Sequence, residues 1–178
     1  MANAGRWSYG KNVILKDLKR MKYKNLSGTI GEFNPQGKRT INIVIPPEYV
    51  ESMVADGWRI REKPPLEEGD LPEYLMKVSF SFKGDPTKDP EVWRITGEGS
   101  RRRKQRLSAA TVGNLDHELI TGFTIEMYQA KAPIDKNPGF AAYGKRLFVN
   151  VEEDELDLLF ADIPESGSEP DLDEVPFN

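Results

Sequence analysis

The chain has 178 residues, with 25 Lys and Arg against 29 Asp and Glu, and its formal charge of −4 conceals a division. Residues 152–178 hold 11 of the acidic residues and no Lys or Arg, so residues 1–151 keep 25 basic against 18 acidic residues, a formal +7. The lack of Cys excludes a disulfide framework, thiolate catalysis and thiolate-ligated zinc or iron. No secretory h-region opens the chain and no apolar run reaches the ~18 residues that span a bilayer, so a soluble, cytoplasmic protein is expected. A body of about 150 residues is long enough to bury one core, which predicts a single domain over residues 1–151 and a separate acidic tail over 152–178.

Residues 11–33 contain two β-favouring runs, Asn12-Val13-Ile14-Leu15 and Leu26-Ser27-Gly28-Thr29-Ile30. Between them lies the basic stretch Lys19-Arg20-Met21-Lys22-Tyr23-Lys24, and the pattern reads as one or two strands with a basic connection. Asn34-Pro35-Gln36-Gly37 has the residues of a type I turn. Beyond it, Ile41, Ile43 and Ile45 share one face while Lys38, Thr40 and Asn42 share the other, which predicts a hairpin with one apolar and one polar, basic face. Pro46-Pro47 begins a short helix with Val50, Met53 and Val54 inward, and Gly57 ends it. Trp58-Arg59-Ile60-Arg61 resumes as a strand, followed by a polar loop over 62–72. Tyr74, Met76, Val78, Phe80 and Phe82 then alternate with Leu75, Lys77, Ser79, Ser81 and Lys83, a strand with one apolar and one basic-polar face.

Residues 84–90 read as a loop and 92–96 as a short strand. Arg101-Arg102-Arg103-Lys104-Gln105-Arg106 packs five cations into six residues behind a Gly/Ser lead, which predicts a mobile loop. A short helix is expected within 107–118 through Val112, Leu115 and Leu119, then strands over 119–128 and 143–151. Beyond Asp162 the apolar content is too low to offset the entropy of ordering, so the tail is expected to be disordered.

The residues do not assemble an enzyme. His117 is the only histidine, and Asp116 and Glu118 cannot converge with it on one metal from adjacent positions. There is no phosphate-cradling loop, nucleophile elbow or dinucleotide fingerprint, and the dense carboxylates lie in the tail. The expectation is a protein without enzymatic activity, metal or cofactor.

Binding of single-stranded nucleic acid fits better, because it needs cations that follow phosphates and aromatic faces on which bases stack. Several short strands around one helix predict a mainly β, partly open barrel of the OB kind. Its candidate contacts are the cations Lys22, Lys24, Lys38, Arg39, Arg59, Arg61, Lys77, Lys83 and Arg94, with Tyr23, Phe33, Trp58 and Trp93 as aromatics. Trp58, just past a helix-ending glycine, is either a core anchor or a base platform, and Tyr23 and Trp93 have the same two readings. Phe80 and Phe82 share an apolar face and are expected in the core. Arg101, Arg102, Arg103, Lys104 and Arg106 are either a solvated tip or a phosphate clamp.

The tip Asp171-Leu172-Asp173-Glu174-Val175-Pro176-Phe177 resembles the C-terminal tip of bacterial single-stranded DNA-binding proteins, an acidic cluster followed by an aliphatic residue, Pro and Phe. In that family the tip docks on basic, apolar pockets of replication and repair proteins. Here Asp171, Asp173 and Glu174 would steer, Phe177 would anchor and Pro176 would limit the entropy lost. In that family Phe is terminal, whereas here Asn178 follows it. The body is similar to a phage-encoded single-stranded DNA-binding group through Asn25-Leu26-Ser27-Gly28, Gly37-Lys38-Arg39-Thr40-Ile41 and Asp56-Gly57-Trp58. The resemblance implies an OB-fold protein in the host cytoplasm that coats single-stranded DNA during phage replication, recombination and repair. It would work without cofactor, possess a partner-recruiting tail, and could form homo-oligomers. The alternatives are an RNA-binding OB or cold-shock-like module, and an interaction protein whose acidic tail mimics DNA.

Overall fold

The computed structural model describes residues 11–130 and 139–152. The chain runs through β1 (Asn12–Leu18), β2 (Met21–Asn25), β3 (Arg39–Val44), α1 (Pro47–Ala55), β4 (Arg61–Lys63), β5 (Glu73–Phe80), β6 (Glu91–Thr96), β7 (Arg103–Leu107), β8 (Ile120–Gln129) and β9 (Ala142–Val151). Short 3-10 segments lie at Gly99–Arg101 and Val112–His117. One sheet carries all of these strands in the order β1-β8-β9-β5-β3-β2, with β4 paired to β5 and β6 paired to both β9 and β7. The end strands β1 and β2 are consecutive in the chain, yet no ladder joins them. The architecture is therefore mainly β, an OB-fold-like barrel that stays partly open. A cleft of about 230 Å³, lined by Lys19, Arg20, Lys22, Lys24 and Glu118 among others, lies beside the two-residue link between these end strands.

Period-two patterning places the core. Leu107, Val92, Leu147, Ile125 and Leu15 form one unbroken cross-strand row through β7, β6, β9, β8 and β1, and all five are buried. Met21, Ile43 and Met76 make a second row through β2, β3 and β5. Each fully buried aliphatic side chain contributes about 1.5–3 kcal/mol relative to exposure. Gly144 faces this core and is required there, because a Cβ would meet the Phe80 ring at 2.1 Å. One residue further, β9 inserts an extra residue opposite Glu126 and Met127, so that both Lys145 and Arg146 are exposed.

Trp58 is buried by the way α1 ends. Gly57, at φ +96°, donates to the Val54 carbonyl at 3.0 Å, and Trp58 N–H reaches back to the Met53 carbonyl at 3.0 Å. That pair of bonds is a Schellman cap, and the residues at the two positions whose apolar contact usually accompanies it, Met53 and Trp58, are both buried in the core. Val54, expected inward, is 44 % exposed, because the helix is short and turns only the Val50 and Met53 stripe to the sheet.

Four local expectations are corrected. The basic stretch after β1 is itself strand β2, and residues 26–30 form a loop. There Asn25 Oδ1 accepts from Thr29 N–H at 2.9 Å and the Asp116 carboxylate accepts from Leu26 N–H at 2.7 Å, so side chains satisfy backbone groups that a ladder would otherwise take. Trp58-Arg59-Ile60-Arg61 makes a single bridge from Trp58 to Phe140, and the strand begins only at Arg61. Most of the cationic run is strand rather than loop: after Arg101 and Arg102 at the turn, Arg103–Leu107 pairs along β6 as an edge strand, a position where charge is favoured because it opposes edge-to-edge association. The helix expected over 107–118 is the 3-10 segment Val112–His117, which buries Val112 and Leu115 and leaves Leu119 65 % exposed. The tail expectation concerns residues outside those described.

Candidate nucleic-acid interface

Residues paired across strands point to the same side, so the polar face opposite the core can be followed from strand to strand. At one end Lys22, Asn42 and Lys77 form a row through β2, β3 and β5. Arg61 donates through Nη2 to Asn42 Oδ1 at 3.3 Å. The Lys63 ammonium sits 5.4 Å from the centre of the Tyr23 ring and donates to its hydroxyl at 2.7 Å, which lowers the Tyr23 pKa. Tyr23 has φ +53°, a left-handed conformation uncommon for a bulky side chain, and it lies where the β2–β3 register slips. The result is a ring 56 % exposed beside three cations, Lys63, Lys22 and Arg61. One acid sits among them: Glu73 binds the Lys22 ammonium and also Arg20 Nη1, the latter at 2.7 Å, and the Lys22 hydrogen bond is the main cause of its lowered pKa.

At the far end Arg106, Trp93, Phe148 and Thr124 form another outward row through β7, β6, β9 and β8. Trp93 and Phe148 are half-buried, and the Lys104 ammonium stands 5.4 Å from the Trp93 ring. Arg106 donates to the Pro86 carbonyl at 2.7 Å. Arg101 and Arg102 are exposed at the turn before β7, and Arg103 is half-buried opposite Thr96.

Between these ends lie residues that sequence reasoning missed. Ser79, Tyr143 and Tyr128 follow one another across β5, β9 and β8, and the two tyrosine rings stack with centroids 5.8 Å apart and planes 20° from parallel. Lys145 and Arg146 come next along β9, sharing Glu126 at 3.8 and 2.7 Å. A signal was present, since Tyr128 alternates with the apolar Met127 and Tyr143 precedes the inward Gly144, but nothing local said which strands would be neighbours.

A third projection is the loop joining β2 to β3. Asn34 ties it together, donating to the Thr29 and Lys38 carbonyls at 3.1 and 2.8 Å and accepting from Lys38 N–H at 3.0 Å. The Gly37 N–H closes the expected Asn34-Pro35-Gln36-Gly37 turn at 3.2 Å. This scaffold leaves Phe33 94 % exposed and Lys38 exposed. Arg39 is held at the base, donating to the Leu26 carbonyl at 2.9 Å with its guanidinium 5.3 Å from the Phe82 ring.

Four of the expected contacts are engaged within the fold. Trp58, 3 % exposed, is a core anchor and offers no ring to a base. Arg59 is drawn inward, with Nη2 donating to the Gly139 carbonyl at 2.9 Å and a buried Nε that has no partner among the described residues. Lys24 donates to the Leu115 and Glu118 carbonyls at 3.0 and 2.6 Å, and burial lowers its pKa. Arg94 forms a two-pronged pair with the Glu118 carboxylate at 2.6–2.9 Å. Lys83 is exposed at the loop after β5, and its N–H donates to Asp89. Asp171, Asp173, Glu174, Pro176 and Phe177 lie outside the described residues. Among those described, no three His, Asp or Glu side chains converge as a metal site, and His117 is exposed.

A family model described as "Putative phage ssDNA-binding domain" matches residues 6–175. No curated protein matches the chain. Among solved structures, the single-stranded DNA-binding protein from bacteriophage Enc34 aligns with a TM-score of 0.49 at 9 % identity, covering 80 % of this chain and 82 % of that one. Its C-terminal truncation aligns at 0.47 and 9 % identity over 80 % and 87 %. The same protein in complex with ssDNA aligns at 0.47 and 10 % identity over 80 % and 88 %.

Proposed function

The chain belongs to the phage single-stranded DNA-binding domain family, and from that premise we propose that it coats single-stranded DNA with little sequence preference during phage DNA replication, recombination and repair. The observation that carries the reading is the outward face of the sheet, where exposed or half-buried rings each stand beside cations: Tyr23 with Lys63, and Trp93 with Lys104. Every base has a π-face and every nucleotide a phosphate, so such pairs grip a single strand without reading its sequence. A duplex hides its base faces and would lose the stacking part. Lys22, Arg61 and Lys77 supply phosphate contacts at one end, and Arg101, Arg102, Arg103, Lys104 and Arg106 at the other. Phe33 adds a ring on a braced loop. The acidic tail recruits basic partner proteins through Phe177 and competes weakly with DNA for the same cations. The work is done in the cytoplasm of the host.

Titrating intrinsic Trp fluorescence with single-stranded homopolymer DNA at two salt concentrations, and with duplex of equal length, tests this reading. Because Trp58 is buried, Trp93 is the described tryptophan positioned to respond. Quenching by single strands that weakens with salt and exceeds the response to duplex is expected, and Trp93→Phe should remove most of it. Tighter binding of a matched ribo-oligomer would favour an RNA-binding role, and no response to any polymer would refute the assignment.

A further inference from the structure

We propose that Tyr143 and Tyr128 form a nucleobase-stacking station in the middle of the sheet, joining the Tyr23 and Trp93 ends into one continuous track for single-stranded DNA. The inference rests on the function proposed for this face and deepens it, because two separate patches do not require anything between them. Both rings lie on the face opposite the core: Tyr143 is followed by the buried Gly144, and Tyr128, 39 % exposed, is preceded by the buried Met127. Their stacking at 5.8 Å and 20° makes a rigid aromatic step, and an offset near-parallel pair accepts a third ring in the same geometry.

The surroundings fit a nucleotide as well as a base. Ser79 continues the row on β5, and Lys77, two residues back on the same face, lies about 7 Å along the strand. On the other side the extra residue in β9 exposes Lys145 and Arg146 together. Glu126 pairs with both and lowers their charge without cancelling two cations. Phe148 and Trp93 follow further along the same face of β9 and β6. Cation and ring thus alternate from Tyr23 and Lys63, through Lys77, to the tyrosine pair, then through Lys145 and Arg146 to Phe148, Trp93 and Lys104. A strand lying along β9 would meet a ring, then positive charge, then a ring.

The test uses the full chain and fluorescein-labelled oligodeoxythymidylates of graded length, with anisotropy read at two salt concentrations. Tyr128→Leu/Tyr143→Leu keeps apolar bulk but removes the rings, and should weaken binding of the longer oligomers by about 5- to 150-fold with an unchanged salt slope. Tyr128→Phe/Tyr143→Phe should bind within about twofold of the parent. Lys77→Ala should instead flatten the slope, by about 0.7 for one phosphate left without its cation. Leucine variants that bind all lengths like the parent while Trp93→Ala binds weakly would overturn the station and leave the general reading intact. A parent chain that binds no single strand would remove both. If the leucine variant does not fold, photocrosslinking of 4-thiothymidine oligomers to the parent decides: adducts at Tyr143 or Tyr128 support the station, and adducts confined to the two ends refute it.

Discussion

Glu73 is the residue where stability and binding pull against each other. It binds Lys22 and Arg20 on the face assigned to phosphates, so a strand arriving there competes with a carboxylate already in place. Glu73→Gln should tighten single-stranded DNA binding and steepen its salt dependence, by up to about 0.7 in slope for each further phosphate neutralised. The pH dependence follows from the lowered pKa, whose first cause is the Lys22 hydrogen bond. A carboxyl with its folded pKa depressed contributes stability that is fully present above its unfolded value and is lost as pH falls through the folded one. In the parent chain, acidification through that window should therefore cost a little stability and free the two cations for DNA. Glu73→Gln should lose both responses, and anisotropy with thermal unfolding across the acid range measures them. A Gln variant with unchanged affinity and slope would place the DNA elsewhere. Lys22 was legible as a candidate because it is a cation in a polar-apolar alternation. Its carboxylate partner lies 51 residues away and was not.

At the scale of elements, β7 shows how composition can mislead. Five cations in six residues looked too repulsive to pack, yet Arg103–Leu107 is a strand, because only one of its edges and one of its faces meet protein. Leu107 anchors it in the core row while Lys104, Gln105 and Arg106 stay exposed. Charge on such an edge is solvated and costs little. Replacing Arg101, Arg102 and Arg103 with Ala should reduce the salt slope of DNA binding by about 0.7 for each phosphate these arginines neutralise. The unfolding midpoint should change little for the two exposed positions. An unaltered slope would reduce this segment to a solvated edge. The neighbouring β8 and β9 were legible at nearly their observed bounds, since ten-residue alternating runs have few competing interpretations. Residues 26–30 were not, because a β-favouring run lost its backbone partners to the side chains of Asn25 and Asp116.

For the whole molecule the governing quantity is the division of charge, +7 over residues 1–151 against 11 carboxylates and no cation over 152–178. Any occlusion of the sheet by that tail is electrostatic and reaches about 10 Å at 0.1 M salt, so it should fade as salt rises. Deleting residues 152–178 should tighten DNA binding at low salt and leave it nearly unchanged at high salt. Weaker or unchanged binding at low salt would reject occlusion and leave recruitment as the tail's role.

The sequence by itself determined the fold class, the strands with long alternation, the helix that starts at Pro47 and is capped past Asp56, and the separation of basic body from acidic tail. These are local or additive properties: period two selects a strand's buried face, Pro and Gly bound the helix, and charge sums along the chain. Only the tertiary structure decided each cation's partner. Lys24, Arg59 and Arg94 look like Lys22 and Arg61 in sequence, yet the former reach Leu115, Gly139 and Glu118 across 24 to 91 residues, whereas Lys22 pairs with Glu73 and Arg61 with Asn42. Only the tertiary structure, too, turned Trp58 inward and set Tyr128 against Tyr143. A residue's chemistry is written locally, whereas its partner is chosen by strand order and register, which depend on the packing of the whole core.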